Sequence, residues 1–384
     1  MGKEFLISIL GILAGIIIGI IIQVIISPQI EVEEATPFIP HKKHVIGFLP
    51  YWLLDKADND YSSYLTTLTY FSVTLEPDGH IMTKTSKQES EPGWYALTSG
   101  KADSHFNQAK KDKIDLSLAV FMTGEEKIGT MIKTPEKSAN HLLEDAIPLM
   151  KEYGFTDLNI DIESVKEASP EARINFTTFT KTLKKGLNKA HVGTLSLDIG
   201  PTAFIKPYLI DPEGVEPYID SMIVMGYDYH WPGSAVTGAI APLGGAQSFA
   251  EFDVATSISE AKKAIPTHKL ILGIPLYGYG WETIDNFPRA AIIPSSGTIA
   301  SNRRVETLLT KCEQCKRGVE KESEEAYIIY KDEDTNVYHQ IFYPDVYSTQ
   351  TKVQFMKDER LGGLALWALG YEGENMLEPL ENFK

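Results

Sequence analysis

From Val45 onward, short apolar runs rich in β-branched and aromatic residues alternate with longer segments that carry apolar residues at helical spacing. The runs are VIGFL (45–49), LTYFSV (68–73), IDLSLAVF (114–121), DLNIDIE (157–163), TLSLDI (194–199), SMIVMGY (221–227), LILGIPL (270–276) and GGLALWAL (362–369). A parallel neighbour can be reached only by a crossover connection, so strands that alternate with helices build a parallel sheet. Eight such strands close a barrel. One crossover can be read in detail: Ser169 stands as a cap, Pro170 takes the first helical position, and Phe176, Phe179, Leu183 and Leu187 form one stripe. The segment from Thr283 to Val337 is too long for one helix and contains the strand-like AYIIYK, so a small α+β insertion is expected at about 283–337, between strands seven and eight. The expected fold is an α/β, TIM-type (β/α)8 barrel over residues 44–384. The alternative, an open doubly wound sheet, would be expected to carry a G-x-G-x-x-G after its first strand or a G-x-x-x-x-G-K-[ST], and neither occurs.

The segment ahead of the barrel is different in kind. An uncharged run from Phe5 to Ser27 reaches roughly 35 Å as a helix, enough to span a bilayer. It is longer than the apolar core of a signal peptide and is followed by no small-x-small cleavage site before Pro28. Residues 1–4 are therefore expected to form a short tail, 5–27 a transmembrane anchor and 28–43 a proline-containing linker, with the barrel extracytoplasmic. Gly11, Gly15 and Gly19 make a repeated G-x-x-x-G face suited to pairing two such helices into a dimer. A formal net charge of −16 and a pI near 5.1 argue against a nucleic-acid partner, whose electrostatic footprint is a basic patch.

DLNIDIE carries the chemistry. Successive side chains on a strand point to opposite faces, so Leu158, Ile160 and Ile162 share one face while Asn159, Asp161 and Glu163 share the other. In a closed barrel the first set packs on the helices and the second points inward, rising towards the C-terminal mouth where such barrels hold their active sites. Burying carboxylates costs several kcal/mol unless they are paired or hydrogen-bonded, which favours a role in catalysis or binding over packing. Like charge and partial burial raise the pKa of one carboxyl of such a pair. Glu163, nearest the mouth, is then the general acid, and Asp161 shares a proton or hydrogen bond with it.

These residues resemble the signature of glycoside hydrolase family 18, the chitinase family, whose fourth strand reads approximately D-G-x-D-x-D-x-E. Asp161 and Glu163 fall on the last acidic pair; Asn159, Asp157 and Thr156 stand where the family has an acid, a glycine and an acid. MGYDYHW (225–231) is similar to the sixth-strand M-x-Y-D, and GIPLYGYGW (273–281) to the seventh-strand G-x-P-x-Y-G-x-x-W. The closing strand carries a tryptophan, Trp367, as in the family. Strand three departs: Ser117 is followed by Leu118, Ala119 and Val120 where the family often has S-x-G-G.

The resemblance implies a retaining mechanism in which the substrate's own N-acetyl group attacks the anomeric carbon. Glu163 would be the acid/base, Asp161 would hold the acetamido nitrogen and Tyr227 its carbonyl. Asn159, Asp228, Trp367, Trp52, Tyr277 and Trp281 are the expected substrate contacts, with Trp367 as the floor beneath the reactive sugar. The implied substrate is a β-1,4-linked N-acetylglucosamine glycan, chitin or its oligosaccharides first; a peptidoglycan-directed glucosaminidase and a non-catalytic glycan-binding barrel are the alternatives. No cofactor or metal is expected: the nine histidines show no metal-binding spacing, and His230 reads as a hydrogen-bonded rim residue. Cys312 and Cys315 read as a local disulfide if the domain is extracytoplasmic, and as free thiols otherwise.

Overall fold

The computed structural model of the protein describes Gly2, residues 43–248, residues 251–381 and Phe383. The expected anchor (5–27), the linker up to residue 42 and the Gly11, Gly15, Gly19 face lie outside the described residues. Among the described residues, no helix is long and apolar enough to cross a membrane.

The chain runs through β1 (His44–Pro50), β2 (Thr67–Thr74), β3 (Asp115–Thr123), β4 (Asp157–Glu163), β5 (Thr194–Ile199), β6 (Ser221–Met225) and β7 (Leu270–Pro275). It then makes β8 (Tyr277–Thr283), β9 (Thr298–Ser301), β10 (Lys316–Glu320), β11 (Glu325–Lys331) and β12 (Tyr338–Tyr343) before returning as β13 (Gly363–Trp367). The closed barrel has the order β1-β13-β7-β6-β5-β4-β3-β2, every neighbouring pair parallel. All eight barrel strands fall on the apolar runs read from the sequence.

The outer face of the barrel follows from the two-residue period of its strands. Leu158, Ile160 and Ile162 on β4 join a buried layer with Phe176, Phe179, Leu183 and Leu187 of the helix Pro170–Ala190, and the four helical residues are fully buried. Fully burying side chains of this size stabilises by about 1.5–3 kcal/mol each. The helix begins where its sequence directs: the Ser169 hydroxyl accepts from the Ala172 N–H at 3.2 Å, with Pro170 at the first helical position. Inside the barrel a smaller apolar set, including Ile46, Phe48, Phe71, Ile223 and Ile271, fills the space between strands other than β4 and β5. The remainder of the interior is polar, and that asymmetry forms the site.

The inserted sheet has the order β10-β11-β12-β8-β9 and is antiparallel throughout. It occupies Tyr277–Tyr343, wider at both ends than the expected 283–337; at its start β8 follows β7 with only Leu276 between them, and the adjacent Pro275 and Gly278 are part of the strands. Cys312 and Cys315 form a disulfide just before β10. Glu325, fully buried on β11, accepts the N–H groups of Ile240 and Ala241 at 2.7 and 3.0 Å, fastening the insertion to the loop that follows β6.

Barrel closure depends on a glycine. Gly363 pairs with His44 across the β1–β13 seam, and a Cβ at that position would lie 2.0 Å from the His44 carbonyl oxygen. Backbone cannot yield as a side-chain tip does, so Gly363→Ala is expected to destabilise the fold by about 2 kcal/mol or more. Urea unfolding monitored by tryptophan fluorescence checks this; an unchanged midpoint would refute the seam argument.

Candidate active site

The inner face of β4 is a ladder of polar side chains, and each rung has a different environment. At the bottom, Asp157 accepts hydroxyls from Ser117 at 2.7 Å, Thr194 at 2.7 Å and Ser196 at 2.6 Å. One rung up, the Asn159 amide donates to the Ser196 hydroxyl at 3.1 Å and to the Asp198 carboxylate at 2.8 Å. Asp161 follows, 4 % exposed, with its Oδ1 buried and lacking a hydrogen-bond partner. Glu163 ends the strand and is solvent-accessible at the mouth.

One strand beyond β5, the chain leaving β6 presents Tyr227 and Asp228. Asp228 lies in the left-handed backbone region at φ 62°. Its Oδ1 accepts from the hydroxyls of Tyr277 at 2.5 Å and Tyr279 at 3.0 Å, both on the first strand of the insertion. Two cavities open here, of about 370 and 280 Å³, and Glu163, Asp198, Met225, Tyr227 and Asp228 line both. The larger is floored by Trp367, whose ring centroid lies 4.6 Å from that of Phe71, 5.8 Å from Phe48 and 6.4 Å from Trp52. The smaller is walled by residues 164–165, 199–203 and 208–210, largely apolar. Glu163 thus stands where two lobes of one cleft meet, the place for a group that acts on a bond with substrate on either side.

The acids hold their protons unusually well. Asp161 is held well above the usual carboxylate range by burial, then by the charge of Asp198 and then by Glu163. Burial also pushes Asp198 up to about 8, opposed by the hydrogen bond from Asn159. Glu163 is raised by withdrawal of its carboxyl from bulk water and then by the Asp228 charge. Asp228 is raised by the same withdrawal, with the two tyrosine hydroxyls pulling the other way. Tyr227 is raised well above its usual value by burial and by four surrounding acids, so its phenol is a hydrogen-bond donor at neutral pH. The arrangement can deliver a proton from Glu163 and place a phenol and carboxyls around a neutral substrate group.

Of the residues expected from the sequence, Asp161, Glu163, Tyr227, Asp228, Trp367 and Trp52 come together around the larger cavity, and Trp52 is 47 % exposed beside it. Tyr277 is buried and reaches the site only through its hydroxyl on Asp228. Asn159 lies below the acids and lines a separate cavity at the opposite end of the barrel, so its connection to the cleft runs through Asp198. Trp281 is misplaced by the sequence reading: it is 1 % exposed, packs on Tyr279 and Phe342 inside the insertion, and lines neither cavity. His230 is likewise buried, held by the Ala239 carbonyl at 2.7 Å, and not at the rim.

The residue that sequence reasoning missed is Asp198. Its signal was present in TLSLDI, where Ser196 and Asp198 alternate with Leu195 and Leu197 just as the acids of β4 alternate with its leucine and isoleucines. Among the described residues one trio could hold a metal ion: Asp78, His80 and His141, with ligand atoms within 4.8 Å of one another, and none of these lines either cavity of the cleft.

The chain is similar to several known proteins. The putative sporulation-specific glycosylase YdhD of Bacillus subtilis (strain 168) is 25 % identical over 339 residues, covering 85 % of this chain and 72 % of its own length. The cortical fragment-lytic enzyme of Bacillus cereus is 24 % identical over 342 residues, covering 86 % of this chain and 71 % of its own. Among solved structures, the chitinase of Cycas revoluta in complex with (GlcNAc)3 is 20 % identical and superimposes with a TM-score of 0.72 over 88 % of this chain and 99 % of that one. The family model described as glycosyl hydrolases family 18 matches residues 44–372, from the first barrel strand to just beyond the last. The chain is a glycoside hydrolase and belongs to glycosyl hydrolases family 18.

Proposed function

We propose that the protein is a retaining, substrate-assisted hydrolase that cleaves the bond following an N-acetylglucosamine residue in the glycan strands of peptidoglycan. The observation that carries the reading is the placement of a proton-holding Glu163 between two lobes of one cleft, with Asp161 beneath it and Tyr227 lining the same two lobes. The bond between sugars would lie at Glu163, with the reactive sugar over Trp367.

In the first step the acetamido carbonyl oxygen bonds to the anomeric carbon while the bond to the leaving oxygen breaks and Glu163 gives that oxygen its proton. The oxazolinium that forms is cationic. Asp161 as carboxylate accepts the acetamido N–H and opposes that charge; Tyr227 donates to the carbonyl oxygen and orients it. Water then opens the ring as the Glu163 carboxylate takes its proton, and configuration is retained. Peptidoglycan is preferred over chitin because the Bacillus cereus relative, matched over most of both chains, is named for lysis of cortical fragments. Chitin oligosaccharide is the second reading, supported by the (GlcNAc)3 bound to the Cycas revoluta chitinase.

The proposed setting is a membrane surface, with residues 5–27 as anchor and the barrel outside the cytoplasm. The Cys312–Cys315 disulfide supports it, since such bonds persist in oxidising compartments.

Purified full chain incubated with peptidoglycan fragments and, separately, with chitooligosaccharides should release new reducing ends faster from the former. Glu163→Gln should lower kcat/KM about a thousandfold with binding retained. Equal rates for Glu163→Gln, or binding of acetamido glycans with no turnover of any, would leave a glycan-binding barrel instead. Asp228→Asn removes a charge that raises Glu163, so the acid becomes stronger and the alkaline limb of the kcat/KM profile should move to lower pH. A limb that stays or moves up would contradict the assignment. The full chain should pellet with membranes after alkaline carbonate extraction, and recovery in the supernatant would remove the anchor.

A further inference from the structure

The ladder on β4 has a gap. Asn159 stands where a third acid is expected from the resemblance, and Asp161 above it has a buried oxygen with no partner. The gap is met from the neighbouring strand. β4 and β5 pair in parallel register, Asn159 with Ser196 and Ile160 with Leu197, and continuing that register sets Asp198 beside Asp161 on the inner face. Asp198 is 4 % exposed, lines both lobes of the cleft, and is fixed from below by the Asn159 amide at 2.8 Å. Asn159 and Asp198 therefore look like an exchanged pair: the amide took the strand-four position and the carboxyl moved one strand across.

We propose that Asp198 is a positioning residue that holds one proton jointly with Asp161 and takes that proton when Asp161 acts as a carboxylate towards the acetamido N–H. The proposal rests on the catalytic reading given above. In the resting site the Asn159 N–H stabilises charge on Asp198, so the proton sits on Asp161. When positive charge develops on the acetamido group, the negative charge of the pair is drawn to Asp161. The Asp161 O–H bond breaks, an Asp198 O–H bond forms, and the pair keeps a charge of −1 throughout. The ionisable groups facing Asp198 are Asp157, Asp161 and Glu163 on β4 and Tyr227 and Asp228 at the end of β6. Those carboxyls are like-charged neighbours that keep the proton in the site, and the direction of the shifts on Asp161 and Asp198 agrees.

Asp198→Asn tests this in the full chain, because the amide oxygen can still accept the Asn159 N–H and the shape is kept. Expected are a fall in kcat of at least about tenfold with KM nearly unchanged, and a displaced pH profile. Adding Asn159→Asp to that variant, which returns the acid to strand four, should recover most of the loss; this double variant also decides the matter if Asp198→Asn alone fails to fold. Infrared difference spectra supply a readout independent of turnover. Recorded in a Glu163→Gln background, where the acid's own carboxyl is silent, they should show a protonated carboxyl at neutral pH that disappears on adding either Asp161→Asn or Asp198→Asn. Wild-type turnover with unchanged kcat and pH profile in Asp198→Asn would overturn the proposal while leaving the hydrolase reading intact. A carboxyl signal that persists when Asp198→Asn is added to the Glu163→Gln background would overturn it whatever the turnover. If no glycan is turned over yet both substitutions abolish the signal, the shared proton stands and the hydrolase reading falls.

Discussion

Closing a parallel sheet takes away the one solvated face that a strand could otherwise keep. Every polar residue on the inner face of β4 and β5 must then find its partners inside the barrel or at its mouth, and the whole site follows from how that demand is met at each depth. Near the bottom, Asp157 is surrounded by three hydroxyls, so its charge is dispersed over donors. In the middle, one amide of Asn159 ties Ser196 to Asp198 and leaves Asp161 without donors. At the top, Glu163 reaches solvent while Asp228 faces it. The partners thus change with height from hydroxyl donors to solvent, and the acid caught between them, buried Asp161, holds its proton well above the usual carboxylate range.

This gradient separates structural from chemical work along seven residues. The outward Leu158, Ile160 and Ile162 fix β4 against a capped helix, which gives the inward side chains little freedom to move. Rigid support of that sort lets carboxyls lie close together without drifting apart. Across the cleft the floor is aromatic, and Trp367 is held at its edges by Phe48, Phe71 and Trp52, so it presents an apolar surface without being able to swing away.

Much of this was legible in the residues. Eight apolar runs gave eight barrel strands because strands buried on their outer face must repeat every second residue, and Ser169-Pro170 marked a helix start that the structure reproduces. A raised proton affinity at Glu163 was expected from partial burial and a like charge on its own strand; burial is the first cause, but the like charge that raises it comes from Asp228 after β6. Asp198 escaped because a carboxyl's meaning depends on which strand lies beside it, and register across β4 and β5 is a property of closure that no local pattern encodes. Trp281 was misread for a related reason. Within GYGW the alternation says that Tyr279 and Trp281 share one face of β8, but not that this face meets Phe342 of the insertion. The insertion's edges were misjudged because β7 passes into β8 through a single leucine, and the flanking Pro275 and Gly278 lie inside the strands instead of in a loop that would signal a change of sheet.

That seamless passage has a bearing on what counts as the working unit of this protein. Tyr277 and Tyr279 belong to the inserted sheet, yet their phenols are the donors that hold Asp228 in its left-handed turn beside Glu163. A barrel trimmed of its insertion would keep every acid on β4 and β5 and still lose the clamp on Asp228. The smallest portable module is therefore barrel and insertion together, and transplanting this chemistry to another scaffold means transplanting two phenols along with the acids.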